Sequence, residues 1–286
     1  MSQEHITKIL SGKGLAAKIR QNLKYQIAKS KIQPGLAVIL VGQDPASEMY
    51  VRFKSQASNE VGMYLETIEL PEDVREKKLL KIIEKLNKNK KIHGILVQLP
   101  LPAHIDVPLI LETIDPMKDV DGFNPENVGW LSAGAPEFIP ATTRGIWSLV
   151  QSTNITVAGK YVVMVGASNI VGKPTAQMFL NHEATVTVCH KKTKDLAGFT
   201  KKADILISAT GVPHLIKAHM VKPGAMVIDV GTARLNGKTV GDVDFDQVKE
   251  KASYITPVPG GVGPMTVASL LQNTWDAMCL IEDIEN

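Results

Sequence analysis

Short, apolar, β-branched runs alternate with stretches of helical periodicity along most of this chain. Residues 36–41, 94–99, 161–165, 185–189, 205–208 and 226–230 are compact apolar segments, the pattern of strands buried on both faces. Between them, apolar positions recur every three or four residues over 15–29, 47–62, 72–89, 143–152 and 171–181, which predicts helices. Within the second of these, Phe53, Ala57 and Val61 read as a core-facing stripe. The alternation predicts an α/β fold with parallel sheets and helices on both faces. A proline- and glycine-rich section, 116–140, interrupts the pattern and reads as a loop separating two αβ blocks. The last helical pattern, 266–284, is apolar on more than one side, so it should return to pack on the first block. The expected architecture is two αβ domains with a cleft between them, one discontinuous (1–138 plus 264–286), the other spanning 139–263.

Composition narrows the class. A chain of 286 residues can hold two domains or one large one, and 44% hydrophobic with 21% charged residues is the composition of an ordinary soluble globular protein. No apolar run reaches the ~18 residues of a membrane span, and the first residues lack a signal-peptide core, so the cytoplasm is expected. A net charge of +3 argues against a nucleic-acid binder; the Lys-rich run 77–91 reads as the solvated face of an amphipathic helix. Cys189 and Cys279 fit no paired spacing and read as small buried hydrophobes, while the histidines show no metal-binding pattern.

Two glycine-rich segments suggest phosphate or ligand loops. Six of the ten residues from Pro257 to Thr266 are Gly or Pro, a composition suited to a rigid, shaped loop. It joins a short apolar run, 253–256, to the last helical pattern, where open α/β sheets bind ligands. The other segment, Gly166 to Gly172, follows the 161–165 strand and opens a helix. It departs from a strict GxGxxG, since Ser168 replaces the second glycine and the last comes one residue late, yet its context is that of a Rossmann dinucleotide unit. An NAD-preferring unit usually ends its next strand with an acid; here stand His190, Lys191 and Lys192, which favours the 2′-phosphate of NADP. Thr210-Gly211 and Asp229-Val230-Gly231 end later strands and should line the adenosine and nicotinamide sides.

Candidate chemistry gathers in the first block. Tyr50 and Lys54 are four apart and share a helix face. Gln98 closes an apolar strand just before prolines; a buried glutamine needs partners, and a ligand or Lys54 could supply them. In Lys118-Asp119-Val120-Asp121 two carboxylates lie close together. An Asx-turn accounts for one of them, and the other is free to bind a ligand.

Taken in order, GLAVILVGQDPAS, the Tyr50/Lys54 helix, GILVQLPLP, KDVDGFNPENVG, VGASNIVGKP, DVG and TPVPGGVGPMT resemble the bifunctional methylenetetrahydrofolate dehydrogenase/cyclohydrolase family over nearly the whole chain. The resemblance implies oxidation of 5,10-methylenetetrahydrofolate with NADP, then hydrolysis to 10-formyltetrahydrofolate, in one-carbon metabolism that feeds purine biosynthesis, by a homodimer paired through its cofactor domain. It implies that Lys54 is the catalytic lysine, Gln98 its hydrogen-bonding partner, Tyr50 a stacking residue beside the folate, and Asp121 a pterin ligand. Val97 and Leu99 would flank Gln98 in the folate site, with Pro259, Gly260, Gly261, Gly263, Pro264 and Thr266 contributed by the Gly/Pro loop. The cofactor would meet Thr142, then Gly166, Ala167, Ser168, Ile170 and Val171 of the glycine turn. His190 and Lys191, Thr210 and Gly211, and Val230, Gly231 and Thr232 would complete its site.

Two departures stand out: Pro140-Ala141-Thr142-Thr143-Arg144-Gly145 replaces the family's Pro-Cys-Thr-Pro-x-Gly, and Thr232-Ala233 replaces Ile-Asn. Thr143 is then a candidate helix cap. A dehydrogenase without cyclohydrolase activity, an NAD-linked one, and a non-catalytic nucleotide sensor are the alternatives at this point.

Overall fold

The computed structural model describes residues 7–284. They form two compact units: residues up to Ala16 with Thr142–Thr266, and Ala17–Ala141 with residues from Val267 onward. Strand β1 (Lys8–Ile9) and helix α1 (Gly12–Lys29) open the described chain. Then come β2 (Gly35–Val41), α2 (Pro45–Val61), β3 (Tyr64–Leu70), α3 (Glu76–Asn87), β4 (Gly94–Val97), α4 (Val107–Thr113) and α5 (Pro125–Ser132). The second series is α6 (Ala141–Gln151), β5 (Tyr161–Val165), α7 (Gly172–Asn181), β6 (Thr185–Cys189), α8 (Leu196–Thr200), β7 (Ile205–Ser208) and β8 (Met226–Asp229). It continues with β9 (Ala233–Leu235), β10 (Lys238–Val240), α9 (Phe245–Val248) and β11 (Tyr254–Ile255), before α10 (Val262–Ile281).

In the Ala17–Ala141 unit, β2 lies between β3 and β4 in a parallel sheet. Because side chains alternate along a strand, β2 feeds two cores. Leu36, Val38 and Leu40 join Leu23, Val61, Leu270, Trp275 and Met278 on one face. Ala37, Ile39 and Val41 join Leu79, Ile83 and Ile110 on the other. The edge strand β3 carries glutamates and is only partly buried, so it lacks the apolar run that marks β2 and β4. The loop-rich 116–140 section contains one short α-helix, α5. Asn124 caps that helix by accepting the Glu126 N–H, and Pro125 supplies its first residue. Lys118 is buried and donates to the carbonyls of Leu86 (3.3 Å), Asn87 (2.8 Å) and Asn89 (3.0 Å), closing the C-terminal end of α3.

The other unit holds a six-stranded parallel sheet in the order β1-β11-β8-β7-β5-β6. Succession runs from β5 to β6 on one side, then to β7, β8 and β11 on the other. That reversal makes the end of β5 the topological switch point, where open α/β sheets take ligands. Residues 7–16, expected with the first block, group here because β1 pairs with β11. Asn236 and Gly237, both at positive φ, turn the β9–β10 hairpin.

Candidate active site and cofactor loops

Helix α2 sets the first site. Asp44 caps it, accepting from both the Ser47 N–H and hydroxyl at 2.8 Å, and Gly62 ends it in the left-handed region at φ 87°. The buried face carries Val51, Lys54, Ala57, Ser58 and Val61. Phe53, expected on that stripe, is instead 48% exposed, because the stripe is centred one step around the helix, at Lys54. A lysine therefore occupies a core-facing position. Tyr50 lies at the rim of the same face, half-buried.

Strand β4 sets the second component. It ends at Val97, and the Gln98 N–H makes the last bond to β2, at 2.9 Å to the Ile39 carbonyl, which fixes the backbone from which the Gln98 side chain projects. Gln98 Oε1 accepts from Lys54 Nζ at 3.0 Å, and its Nε2 donates to the Leu99 carbonyl at 2.7 Å. The amide is thereby oriented, with its oxygen held towards the lysine.

The loop after α4 supplies the carboxylates, and they have different jobs. Asp119 is buried and spent on structure: it accepts from the N–H groups of Gly122 (3.1 Å) and Asn124 (2.7 Å) and from Asn127 Nδ2 (2.9 Å). A β-bridge from Ile95 to Asp119 ties this loop to the edge of β4. Gly94 allows the approach: a Cβ there would sit 2.7 Å from Val120 Cγ1. Asn273 of α10 holds the loop from behind, donating to the carbonyls of Val120 (2.8 Å) and Ile139 (2.9 Å). Asp121, two residues beyond Asp119, faces Lys54 electrostatically. Burial pushes its carboxyl up to about 6, against the pull of the Lys54 charge. Burial also lowers the Lys54 ammonium from its ordinary value, with Asp121 opposing. Lys54, Gln98 and Asp121 thus form one cluster, with Tyr50 on the same helix and Val97 and Leu99 on either side of Gln98.

The remaining candidates lie in the other unit. Gly166 ends β5 at φ 120°, and a Cβ there would stand 2.4 Å from the Ala209 carbonyl oxygen. A Cβ at Gly172 would stand 2.1 Å from the Gly166 oxygen. Ser168, the residue that breaks the fingerprint, accepts the N–H groups of Val171 (3.2 Å) and Gly172 (3.3 Å), bracing the turn that leads into α7. The two glycines let the turn fold tightly on itself and on the strand beside it, and they bring it to the N-terminus of α7, the kind of position where a dinucleotide pyrophosphate is bound. After β6, His190 Nδ1 accepts the Lys192 N–H at 3.2 Å and Thr193 Oγ1 accepts the His190 N–H at 2.9 Å. This tight turn leaves His190, Lys191 and Lys192 exposed.

The Gly/Pro loop also belongs to this unit, and α10 begins inside it, at Val262 rather than Thr266. Gly260 is at φ 109°, its carbonyl accepting the Gly12 N–H at 2.9 Å. Thr266 donates to Thr142 Oγ1 at 3.3 Å. Thr143, a candidate cap, lies within α6, its buried hydroxyl paired with Thr175 at 3.0 Å. Sequence reasoning passed over Asp242, whose carboxylate accepts the Ser208 hydroxyl (2.8 Å) and the Thr210 N–H (2.6 Å); an Asp in a short polar turn carries no signal of its burial.

The chain matches the catalytic domain of tetrahydrofolate dehydrogenase/cyclohydrolase over residues 10–121 and that family's NAD(P)-binding domain over residues 140–281. It is 58% identical to the bifunctional protein FolD of Aquifex aeolicus over 271 residues, which is 93% of each chain. Its structure is similar to that of the bifunctional FolD dehydrogenase/cyclohydrolase of Campylobacter jejuni, with a TM-score of 0.95 and 51% identity, covering 96% of this chain and 99% of the other. The FolD of Trypanosoma brucei, solved with NADP and an inhibitor, superimposes with a TM-score of 0.93 at 38% identity, over 96% of this chain and 98% of that one. Both halves of the sequence, and the fold that carries the lysine cluster and the glycine turn, place the chain in the tetrahydrofolate dehydrogenase/cyclohydrolase family.

Proposed function

We infer that this chain oxidises 5,10-methylenetetrahydrofolate to the methenyl form with NADP and hydrolyses that product to 10-formyltetrahydrofolate. The observation that carries the reading is the buried Lys54 amine, 3.0 Å from an oriented Gln98 oxygen and facing Asp121. Gly166–Val171 and the loops at Thr210 and Val230–Thr232 would hold NADP, with His190 and Lys191 as the residues for its 2′-phosphate, and the bound cofactor would accept the hydride. Asp121 as a carboxylate would accept two N–H bonds from the aminopyrimidinone edge of the pterin. Tyr50 would stack against the folate.

Hydride departure is driven by the nitrogen lone pairs of the substrate, so the protein's contribution there is orientation. Hydrolysis differs: water adds to the methenyl carbon and the adduct collapses, and both steps move protons. A lysine with a lowered pKa can take and return a proton, and a cationic substrate beside it lowers that pKa further. Gln98, which donates its own N–H to Leu99, keeps the amine aimed without titrating itself. The assembly consistent with this reading is a homodimer paired through the cofactor unit, working in the cytoplasm. Among the described residues no helix is long and apolar enough to cross a membrane. The test is an assay following methenyl-folate absorbance and NADPH together, with NADP and NAD in parallel. Turnover to 10-formyltetrahydrofolate with NADP preferred is expected; no turnover with either cofactor would refute the reading.

A further inference from the structure

The carboxyl edge of the six-stranded sheet buries two aspartates that the chemistry above does not use. Asp229 ends β8 and Asp242 follows β10; they are 3% and 0% exposed. Asp229 Oδ1 accepts the N–H groups of Gly231 (3.1 Å) and Asp242 (3.0 Å), and its Oδ2 accepts that of Val243 (2.9 Å). Asp242 Oδ2 takes the Ser208 hydroxyl and the Thr210 N–H, whereas its Oδ1 is buried without a donor. Glycines make room for both. A Cβ at Gly231 would lie 1.9 Å from Asp242 Oδ1, and one at Gly241 would lie 1.9 Å from Asp229 Oδ2. The pair therefore clasps the loops that leave β7 and β8.

The neighbouring elements bring hydroxyls and backbone groups to the pair. Beta7 presents Ser208, and Thr256, just after β11, accepts the Asp229 N–H at 2.7 Å. The charge acting on Asp229 is that of Asp242. Nearby on the chain, Asp244 is engaged with Lys217 at 3.1 Å. Burial, with the Asp242 charge adding, pushes the Asp229 carboxyl up to about 7. Losing that proton places a second negative charge in an unscreened site, where like charges at close range repel strongly.

We propose that Asp229 and Asp242 are positioning residues for the two loops at Thr210–Gly211 and Val230–Gly231, and that this buried carboxyl pair makes NADP binding weaken as the pH rises past neutrality. The proposal rests on the assignment of those loops to the cofactor. Asp242→Asn is the informative variant, since its amide oxygen still accepts from Ser208 and Thr210 and its NH₂ replaces the oxygen that has no donor. NADPH is titrated by fluorescence into the full-length wild type and Asp242→Asn at pH 6 and pH 8. The 2′-phosphate titrates in both proteins, so the difference between them reads the pair. If NADPH binds only the form in which Asp229 keeps its proton, a carboxyl titrating at about 7 makes the wild-type Kd rise about tenfold between pH 6 and pH 8, beyond any change in the variant.

Carbon-13 NMR of the Asp229 carboxyl in the unliganded wild type gives a readout without cofactor, with a midpoint near 7 expected. A midpoint within a unit of the ordinary Asp value, or equal pH dependence of Kd in the two proteins, overturns the proposal even if NADPH binds well. Absence of NADPH binding by the wild type at either pH overturns the cofactor reading, and the coupling falls with it.

Discussion

At the residue scale, the question is what each group does that a neighbour could not. Lys54 occupies a core-facing helix position where an aliphatic side chain would pack more cheaply, so its amine has a use besides stability. Lys54→Met keeps the stem and removes the proton carrier. Methenyl hydrolysis should fall by roughly 10²–10⁴-fold, the usual worth of a positioned acid–base group, while the dehydrogenase step falls less. Single-turnover rates of each half-reaction at saturating folate decide this; hydrolysis near the wild-type rate would rule the amine out as the shuttle. Asp121 predicts a different profile. Its carboxyl is pushed up to about 6, so the ionised form proposed to accept the pterin N–H bonds is lost below that pH. The KM for folate should climb about tenfold per unit as pH falls below 6, in both activities, and Asp121→Asn should impair both.

The same shift has a stability consequence of opposite sense. The folded pKa of Asp121 is raised, so the unfolded chain releases this proton first, and stability from this group declines as pH rises from about 4 to about 6. Asp121→Asn should therefore gain on the wild type in Tm between pH 4 and pH 7. An advantage that does not grow over that interval would show the carboxyl to be unperturbed in the folded protein.

At the scale of elements, the site depends on how closely β4, the Asp119–Asp121 loop and α10 approach. Gly94 faces Val120 Cγ1 at 2.7 Å and Thr274 Oγ1 at 3.1 Å from where a Cβ would be. Gly94→Ala should cost ~1–3 kcal/mol by overpacking and raise the folate KM by displacing Asp121. Gly62→Ala is the matched control. Its Cβ would meet only Ile27 Cγ2, at 3.7 Å, so the cost is backbone strain in the left-handed region, ~1 kcal/mol. Denaturant melts with folate KM for each variant separate the two effects: stability lost in both, KM changed at Gly94 alone.

The same elements show where sequence patterns carry information. Strand β2 announces itself by an unbroken apolar run, since both of its faces are buried, and helix α3 by its apolar period, since one face is. Strand β3 and helix α5 do not: one is an edge strand with glutamates, the other a two-turn helix bounded by proline and serine. Their order comes from pairing with β2 and from the Asn124 cap.

At the scale of the whole molecule, cofactor choice and assembly follow from charge and surface. The exposed His190–Lys192 turn carries cations and no acid, the character proposed here to favour a ribose 2′-phosphate. Lys191→Asp should lower kcat/KM with NADP and narrow the preference over NAD, read from steady-state kinetics with both cofactors. Equal efficiency with NAD in the wild type would contradict the assignment. Light scattering at micromolar concentration should give twice the 31.1 kDa chain mass; a monomer would contradict the paired assembly.

Sequence alone determined the αβ alternation, the glycine turn and the ordered motifs, since each is a local pattern of period, torsion or residue type. It also marked Tyr50, Lys54 and Gln98 individually and Asp119 and Asp121 as a pair, of which the family resemblance named Asp121. Only tertiary structure decided that Asp119 is the structural carboxylate and Asp121 the free one, because backbone donors 122 and 124 close on one and not the other. Tertiary structure likewise turned Phe53 outward, joined residues 7–16 to the second sheet, and buried Asp229 against Asp242. Burial and pairing between distant segments leave no periodicity in the chain; they exist only once the segments meet.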